Sequence, residues 1–249
     1  MKKTVFASFA LATALVAACS STTSGPPSGG ATGDMGSTAS SGGSSTSSGT
    51  GSGASSTSGT SSSSSQTGTT VALPVTVSAQ YVPSGYMGDG MTAGAINMLP
   101  QTPTDPTDCG GDRSAPAIGT CYQITYTPVT PGGQGWGGVY WQYPSNNWGG
   151  MAGLDIAAGA TQVSFYAKGM NGGEQVQFVV GGIQASGMAY QDSFKATVTE
   201  TLTTSWTQYS VPLPASYGSV LGGFAWSAGA PADAGGPIQF EVDSIQWTM

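Results

Sequence analysis

Beyond residue 70 the chain alternates apolar and polar side chains with a period of two. Leu73, Val75, Val77, Ala79 and Tyr81 fall on one side of such a repeat, as do Tyr122, Ile124 and Tyr126, and this spacing predicts half-buried strands over 73–81 and 122–126. Strand-like runs follow at 138–143, 162–167, 175–180, 194–202, 206–213, 220–227 and 238–247. Turn chemistry separates them, as in Lys168-Gly169-Met170-Asn171-Gly172-Gly173, Gly181-Gly182 and Ala234-Gly235-Gly236-Pro237. No window carries a helical period of useful length. Many short strands at spacings of roughly ten residues predict an all-β fold, a two-sheet antiparallel β-sandwich of jelly-roll type.

The first 70 residues have a different character. Lys2 and Lys3 precede an apolar run from Val5 to Ala18 that is too short to span a bilayer, so 1–18 reads as a secretory signal. Its end, Leu15-Val16-Ala17-Ala18-Cys19, resembles the bacterial lipobox. That resemblance implies acylation of Cys19, a mature chain beginning there, and attachment to a membrane through several acyl chains at about 0.8 kcal/mol per buried methylene. Ser20 resembles the sorting position of outer-membrane lipoproteins, which implies a surface-exposed location. Residues 19–70 hold the lipidated cysteine and a Ser/Gly/Thr-rich stretch whose only charge is Asp34. Such a composition cannot offset chain entropy and predicts a disordered tether with a root-mean-square reach of roughly 40 Å. The β-sandwich is expected over 71–249.

Composition narrows the chemistry. Charged residues are 7% of the chain and the formal net charge is −7. With only Arg113, Lys168 and Lys195 basic beyond residue 70, binding to nucleic acid has no electrostatic footing. The chain has no histidine, which excludes Ser-His-Asp and Cys-His catalysis and histidine-ligated zinc. Of the 3 cysteines, Cys109 and Cys121 remain once Cys19 is acylated, and in an exported chain they are expected to form a disulfide. No catalytic residue is assigned. A carboxylate-dependent glycoside hydrolase would have to draw its acid pair from Glu174, Asp192, Glu200, Glu241 and Asp243.

The succession Val163-Ser164-Phe165-Tyr166-Ala167-Lys168-Gly169, Glu174-Gln175-Val176-Gln177-Phe178, the run Leu202 to Leu213, Gly223-Phe224-Ala225-Trp226 and Phe240-Glu241-Val242-Asp243-Ser244-Ile245 resembles the jelly-roll carbohydrate-binding modules of the galactose-binding-like superfamily, over about residues 155–248. The resemblance implies non-catalytic polysaccharide binding by aromatic rings stacked on pyranose faces and helped by amides. Trp148, Trp226, Tyr86, Trp136, Tyr140 and Asn147 are the candidate ligand contacts; Trp206 and Trp247 are assigned to packing. It also implies a structural calcium between the first and last strands, with Asp243 and Asp89 as oxygen ligands. The expected partners are a glycan and, through the lipid, a membrane; the domain is expected to be monomeric. The competing expectation is a structural or protein-binding envelope lipoprotein without a sugar site.

Overall fold

The computed structural model describes residues 70–101, 118–229 and 236–249. The signal segment, Cys19 with the tether, and Cys109 lie outside the described residues. Among those described, two antiparallel sheets stack face to face. The first runs β3 (Ile96–Gln101), β4 (Cys121–Tyr126), β11 (Ile238–Thr248), β6 (Gln162–Gly169), β9 (Thr207–Pro212), with the short β1 (Val75–Thr76) also paired to β11. The second runs β2 (Val82–Gly88), β5 (Trp136–Gln142), β10 (Gly222–Gly229), β7 (Gln175–Gly181), β8 (Lys195–Thr201). Strands distant in sequence are neighbours in space, as in a jelly roll.

Alternation decides what each strand buries. Val163, Phe165 and Ala167 point inward from β6, Val176, Phe178 and Val180 from β7, and Phe224, Trp226 and Ala228 from β10; all lie in one core cluster. The ring of Phe165 meets that of Phe178 at 4.4 Å and that of Phe224 at 5.1 Å, so aromatic contact bridges the two sheets. Trp226 is fully buried, with its ring set edgewise on Phe240 at 5.2 Å. This corrects its assignment as a ligand contact. Its cross-strand partners Val139 and Phe178 both face the core, and its small neighbours Ala225 and Ser227 are the residues that face out. Trp247 is also buried and donates from Nε1 to the Gly223 carbonyl at 3.0 Å.

Three elements depart from the sequence pattern. The strand expected over 73–81 stops at Thr76, and a single helical turn, α1 (Val77–Gln80), replaces the rest. Val77 and Tyr81 are buried while Ala79 is exposed, so the four-residue spacing of the two large side chains prevails over the two-residue repeat. Strands β2 and β3 have no counterpart in the predicted runs, because Pro83, Gly85, Gly88 and Pro100 obscure them. Both are edge strands, where a proline removes no ladder bond, and β2 shifts register between Pro83 and Gly85. Cys121 is buried and disulfide-bonded.

Trp226→Ala should lower stability by about 3–5 kcal/mol through the cavity it leaves, read as a shift in the denaturant midpoint with little change in slope.

Candidate functional site: the outer face of the second sheet

The inward side chains of β5, Val139 and Trp141, belong to the core, which leaves Trp136, Gly138, Tyr140 and Gln142 on its outer side. Register carries that face across the sheet in two rows. Tyr140 stands beside Ala225, which leads to Val179 and Thr197; Gly138 stands beside Ser227, which leads to Gln177 and Thr199. The first of these rows is buried as far as Val179 in an apolar cluster with Ile183, Leu221 and Met87, so the accessible floor is the second row from Ser227 to Thr199 with Thr197 beside it, polar on its β8 side. Gly138 is required there. A Cβ on it would lie 2.5 Å from the Trp226 carbonyl oxygen and 3.1 Å from Met87 Cε, with no flexible neighbour to absorb the backbone clash. The outward positions of these strands include no carboxylate; their one charged side chain is Lys195.

Rings mark both ends of this face. Trp136 is 38% exposed at the start of β5, and Tyr140 is four residues away, about 13 Å along the strand. Tyr140 is only 6% exposed, because the indole of Trp148 covers it edge-to-face with centroids 6.0 Å apart. Trp148 itself is 38% exposed and takes over as the accessible ring at that end. Met151, Met188 and Tyr190 are exposed on the same two connections, 143–153 and 182–194, which a backbone bond from Tyr190 N to Gly149 O at 3.1 Å ties together.

Buried polar side chains hold this rim. Asn147 donates from Nδ2 to the carbonyls of Tyr143 and Met151 at 3.0 and 2.9 Å, while its Oδ1 accepts from the amides of Gly149 and Met151. Its amide is thus fully engaged inside the loop that carries Trp148, which corrects its expected role: it positions the ring and does not face ligand. Gln142 Nε2 adds a bond to the Asn147 carbonyl, and its Oε1 accepts from Ser84. On the second connection, the Asp192 carboxylate accepts from Leu221 N at 2.7 Å, Ile183 N at 2.9 Å and Gly222 N at 3.3 Å. Burial raises its pKa to about 6 and outweighs these three amides, which act the other way.

Tyr86 is exposed, but on β2 rather than on a loop. It stands opposite the inward-facing Val139, so its ring projects from the other side of the edge strand and does not join Trp136 and Trp148.

The two carboxylates expected to hold calcium are kept apart. Asp89 accepts from Tyr126 Oη at 2.8 Å, from Val129 N at 3.1 Å and from Gln134 N. Burial alone would raise its pKa, but these donors hold it below the usual carboxylate range, and the side chain anchors the connection to β5. Asp243 lies five positions beyond Ile238, the β11 partner of Tyr126, or about 16 Å along the strand, and its Oδ1 accepts from Ser244 N at 2.6 Å. Among the described residues no three acidic, cysteine or histidine side chains gather as a metal site. The pair does not fit a shared ion.

Neither Gln177, Thr197 and Thr199 on the floor nor Met188 and Tyr190 on the rim were singled out from sequence. The signal for the floor residues lies in the polar members of the alternations over 175–180 and 194–202, where the apolar members mark only the core side.

Two measurements follow from this geometry. Asn147→Ala should cost about 1–3 kcal/mol by leaving loop backbone groups unpaired, and should speed hydrogen exchange at Gly149 and Met151. Asp192 binds its proton more tightly folded than unfolded, so its ionisation removes stability as pH rises from about 4 through about 6. With no histidine to titrate in that window, the melting temperature should be higher at pH 5 than at pH 7.5 by about 5 °C, and Asp192→Asn should abolish the difference.

No protein-family model matches the chain, and no curated protein matches it. Among solved structures, the chain is similar to the family 11 carbohydrate-binding module of the cellulosomal cellulase Lic26A-Cel5E of Clostridium thermocellum (13% identity, TM-score 0.40, covering 67% of this chain and 88% of that one). It is similar also to the family 30 carbohydrate-binding module of cellulosomal cellulase Cel9D-Cel44B of the same organism (12%, 0.42, 70% and 96%) and to a family 29 carbohydrate-binding module from Piromyces equi (12%, 0.30, 70% and 88%).

Proposed function

We propose that this protein binds polysaccharide without catalysis, on the outer face of the second sheet, and displays that face from a lipid anchor. The observation that carries the reading is the carboxylate-free polar strip of Ser227, Gln177 and Thr199 beside two accessible indoles, Trp136 and Trp148, each 38% exposed. Indole faces stack on the apolar faces of pyranose rings, and the fringe of Gln177, Thr197 and Thr199 offers donors and acceptors to hydroxyls. A span of about 13 Å from Trp136 to Tyr140 is longer than one sugar ring, so the ligand is a chain. Hydrolysis of that chain would need two acids flanking it, and the floor supplies none.

Display follows from the N-terminal sequence. The lipobox-like ending at Cys19 supports acylation, and the Ser/Gly/Thr composition of 20–70 supports a spacer between membrane and domain. Outer-membrane attachment with the domain outside the cell is the location most consistent with Ser20.

A second reading has one observation in its favour. Met151, Met188 and Tyr190 are 54%, 40% and 43% exposed beside Trp148, and mobile thioethers adapt to protein surfaces. A protein-binding envelope lipoprotein would use this rim and leave the floor empty.

Affinity electrophoresis against a polysaccharide panel decides between them. Trp136→Ala and Trp148→Ala should each weaken retention about tenfold, or ~1.4 kcal/mol, while Leu99→Ala on the opposite sheet changes nothing. Absence of retention by every polysaccharide would overturn the sugar reading in favour of the protein partner. For the anchor, mass spectrometry of the membrane fraction should find a mature chain starting at acylated Cys19, and Cys19→Ser should accumulate unprocessed.

A further inference from the structure

The outer side of the first sheet carries a depression that the candidate face does not use. It lies where β6 pairs with β9, is open to solvent, has a volume of about 240 Å³, and is lined by Gln162, Ser164, Gln208, Tyr209 and Ser210. Register explains why polar groups converge there. Ser164 stands directly across from Ser210, and Gln162 and Gln208 follow two positions along their own strands on the same side, while Val163, Phe165 and Val211 turn into the core. The fifth lining residue, Tyr209, pairs with Phe165 and stacks its ring on that of Phe165 on the core side, so the depression itself is walled by serine and glutamine side chains.

Three observations bear on what such a depression takes. Ser164 is 9% exposed at the foot of the depression, Gln162 and Ser210 are half-buried, and Gln208 is exposed. Every lining side chain except the tyrosine body carries both donor and acceptor, and none is charged, so the site has no preference for an anion or a cation. The volume is below the roughly 300–1,000 Å³ of clefts that hold drug-sized ligands, so one ring fits and a chain of rings does not.

We propose that this depression is a second carbohydrate subsite, specific for one neutral, hydroxyl-rich sugar unit, such as the end or a side branch of a polysaccharide. Hydroxyls of a pyranose, each a donor and an acceptor, pair with the serine hydroxyls and glutamine amides. With no open aromatic face to stack on, the subsite binds weakly by itself. Its place on the sheet opposite Trp136 and Trp148 means that one short glycan cannot reach both sites, whereas two glycan chains, or two stretches of one long chain, can be held by one domain. The gain then comes from multivalency and not from the affinity of either site.

The subsite stands independently of the proposed function, and one experiment separates their failures. Isotope-labelled protein is titrated with glucose, mannose and galactose, and with cello- and manno-oligosaccharides, while backbone amide shifts are followed by NMR. The monosaccharides should move the amides of Ser164, Gln208 and Ser210 at millimolar concentration. Oligosaccharides should also move a second set around Gly138, Trp148 and Thr197. Ser164→Ala, which removes the hydroxyl and adds no atom, should abolish the first set with the second retained; Trp136→Ala with Trp148→Ala should do the reverse. Gln208→Leu on the exposed edge strand serves as a second probe should Ser164→Ala disturb folding, and it should weaken the first set at least threefold. Shifts confined to the Trp148 face overturn the subsite and leave the proposed function standing. Shifts confined to Ser164 and Ser210 do the opposite, and shifts at neither overturn both.

Discussion

The structure depends on one contact, the meeting of Phe165 from the first sheet with Phe178 and Phe224 from the second, at 4.4 and 5.1 Å. Each ring occupies the inward position of an alternating strand. Once the three are locked between the sheets, the facing of every neighbouring residue is set, because a slip of one residue would exchange inside for outside along the whole strand. Trp141 joins by setting its ring on Phe224 at 5.5 Å, and Trp226 does so through Phe240. Most of the large aromatic area of the domain is thereby committed to cohesion, and the rings left for other work are those at strand ends and on loops.

Polar burial has a complementary part. Asn147, Gln142, Asp192 and Asp89 are almost completely withdrawn from water, and each ties backbone groups of a connection to the sheets. A Gly- and Ser-rich loop has little apolar surface with which to fix itself, so a buried amide or carboxylate that accepts or donates several backbone bonds is an efficient substitute. Trp148 benefits most directly. Its neighbour Asn147 bonds to residues on both sides of it, and Asp192 holds the second connection whose Tyr190 amide meets Gly149. Ring placement on a loop is then as well determined as on a strand, which is what stacking on a sugar requires.

The few charges follow the same division. Lys168 pairs with Glu241 at 2.9 Å on the first sheet and lies over the ring of Trp206 at 5.0 Å, so it helps to order a turn. The second sheet presents Lys195 and no outward acid. A surface so poor in charge is suited to neutral, hydroxylated ligands and gives long-range electrostatics little to act on.

Much of the fold was legible in the sequence. The inward members of β6 and β7 could be named from spacing alone, because a strand with one buried face must alternate and no turn residue interrupts these runs; β10 was legible as a strand, but its inward Trp226 was read as a ligand contact. The edge strands β2 and β3 were not legible, since Pro83, Gly85 and Pro100 are the residues that punctuate loops and only their place at a sheet margin makes them acceptable in strands. The candidate site was legible in kind and only partly in place. That tryptophan and tyrosine cluster near residues 136–148 is a property of the sequence. Which of them meet water was decided by register between strands far apart in the chain: Trp226 against Phe178 and Val139 goes inside, Tyr140 against Ala225 goes outside and is then covered by Trp148. The sequence by itself determined the period of the strands and the poverty of charge, both of which are local. Exposure of a ring and the separation of Asp89 from Asp243 are relations between distant segments, and only the packing of one sheet on the other could settle them.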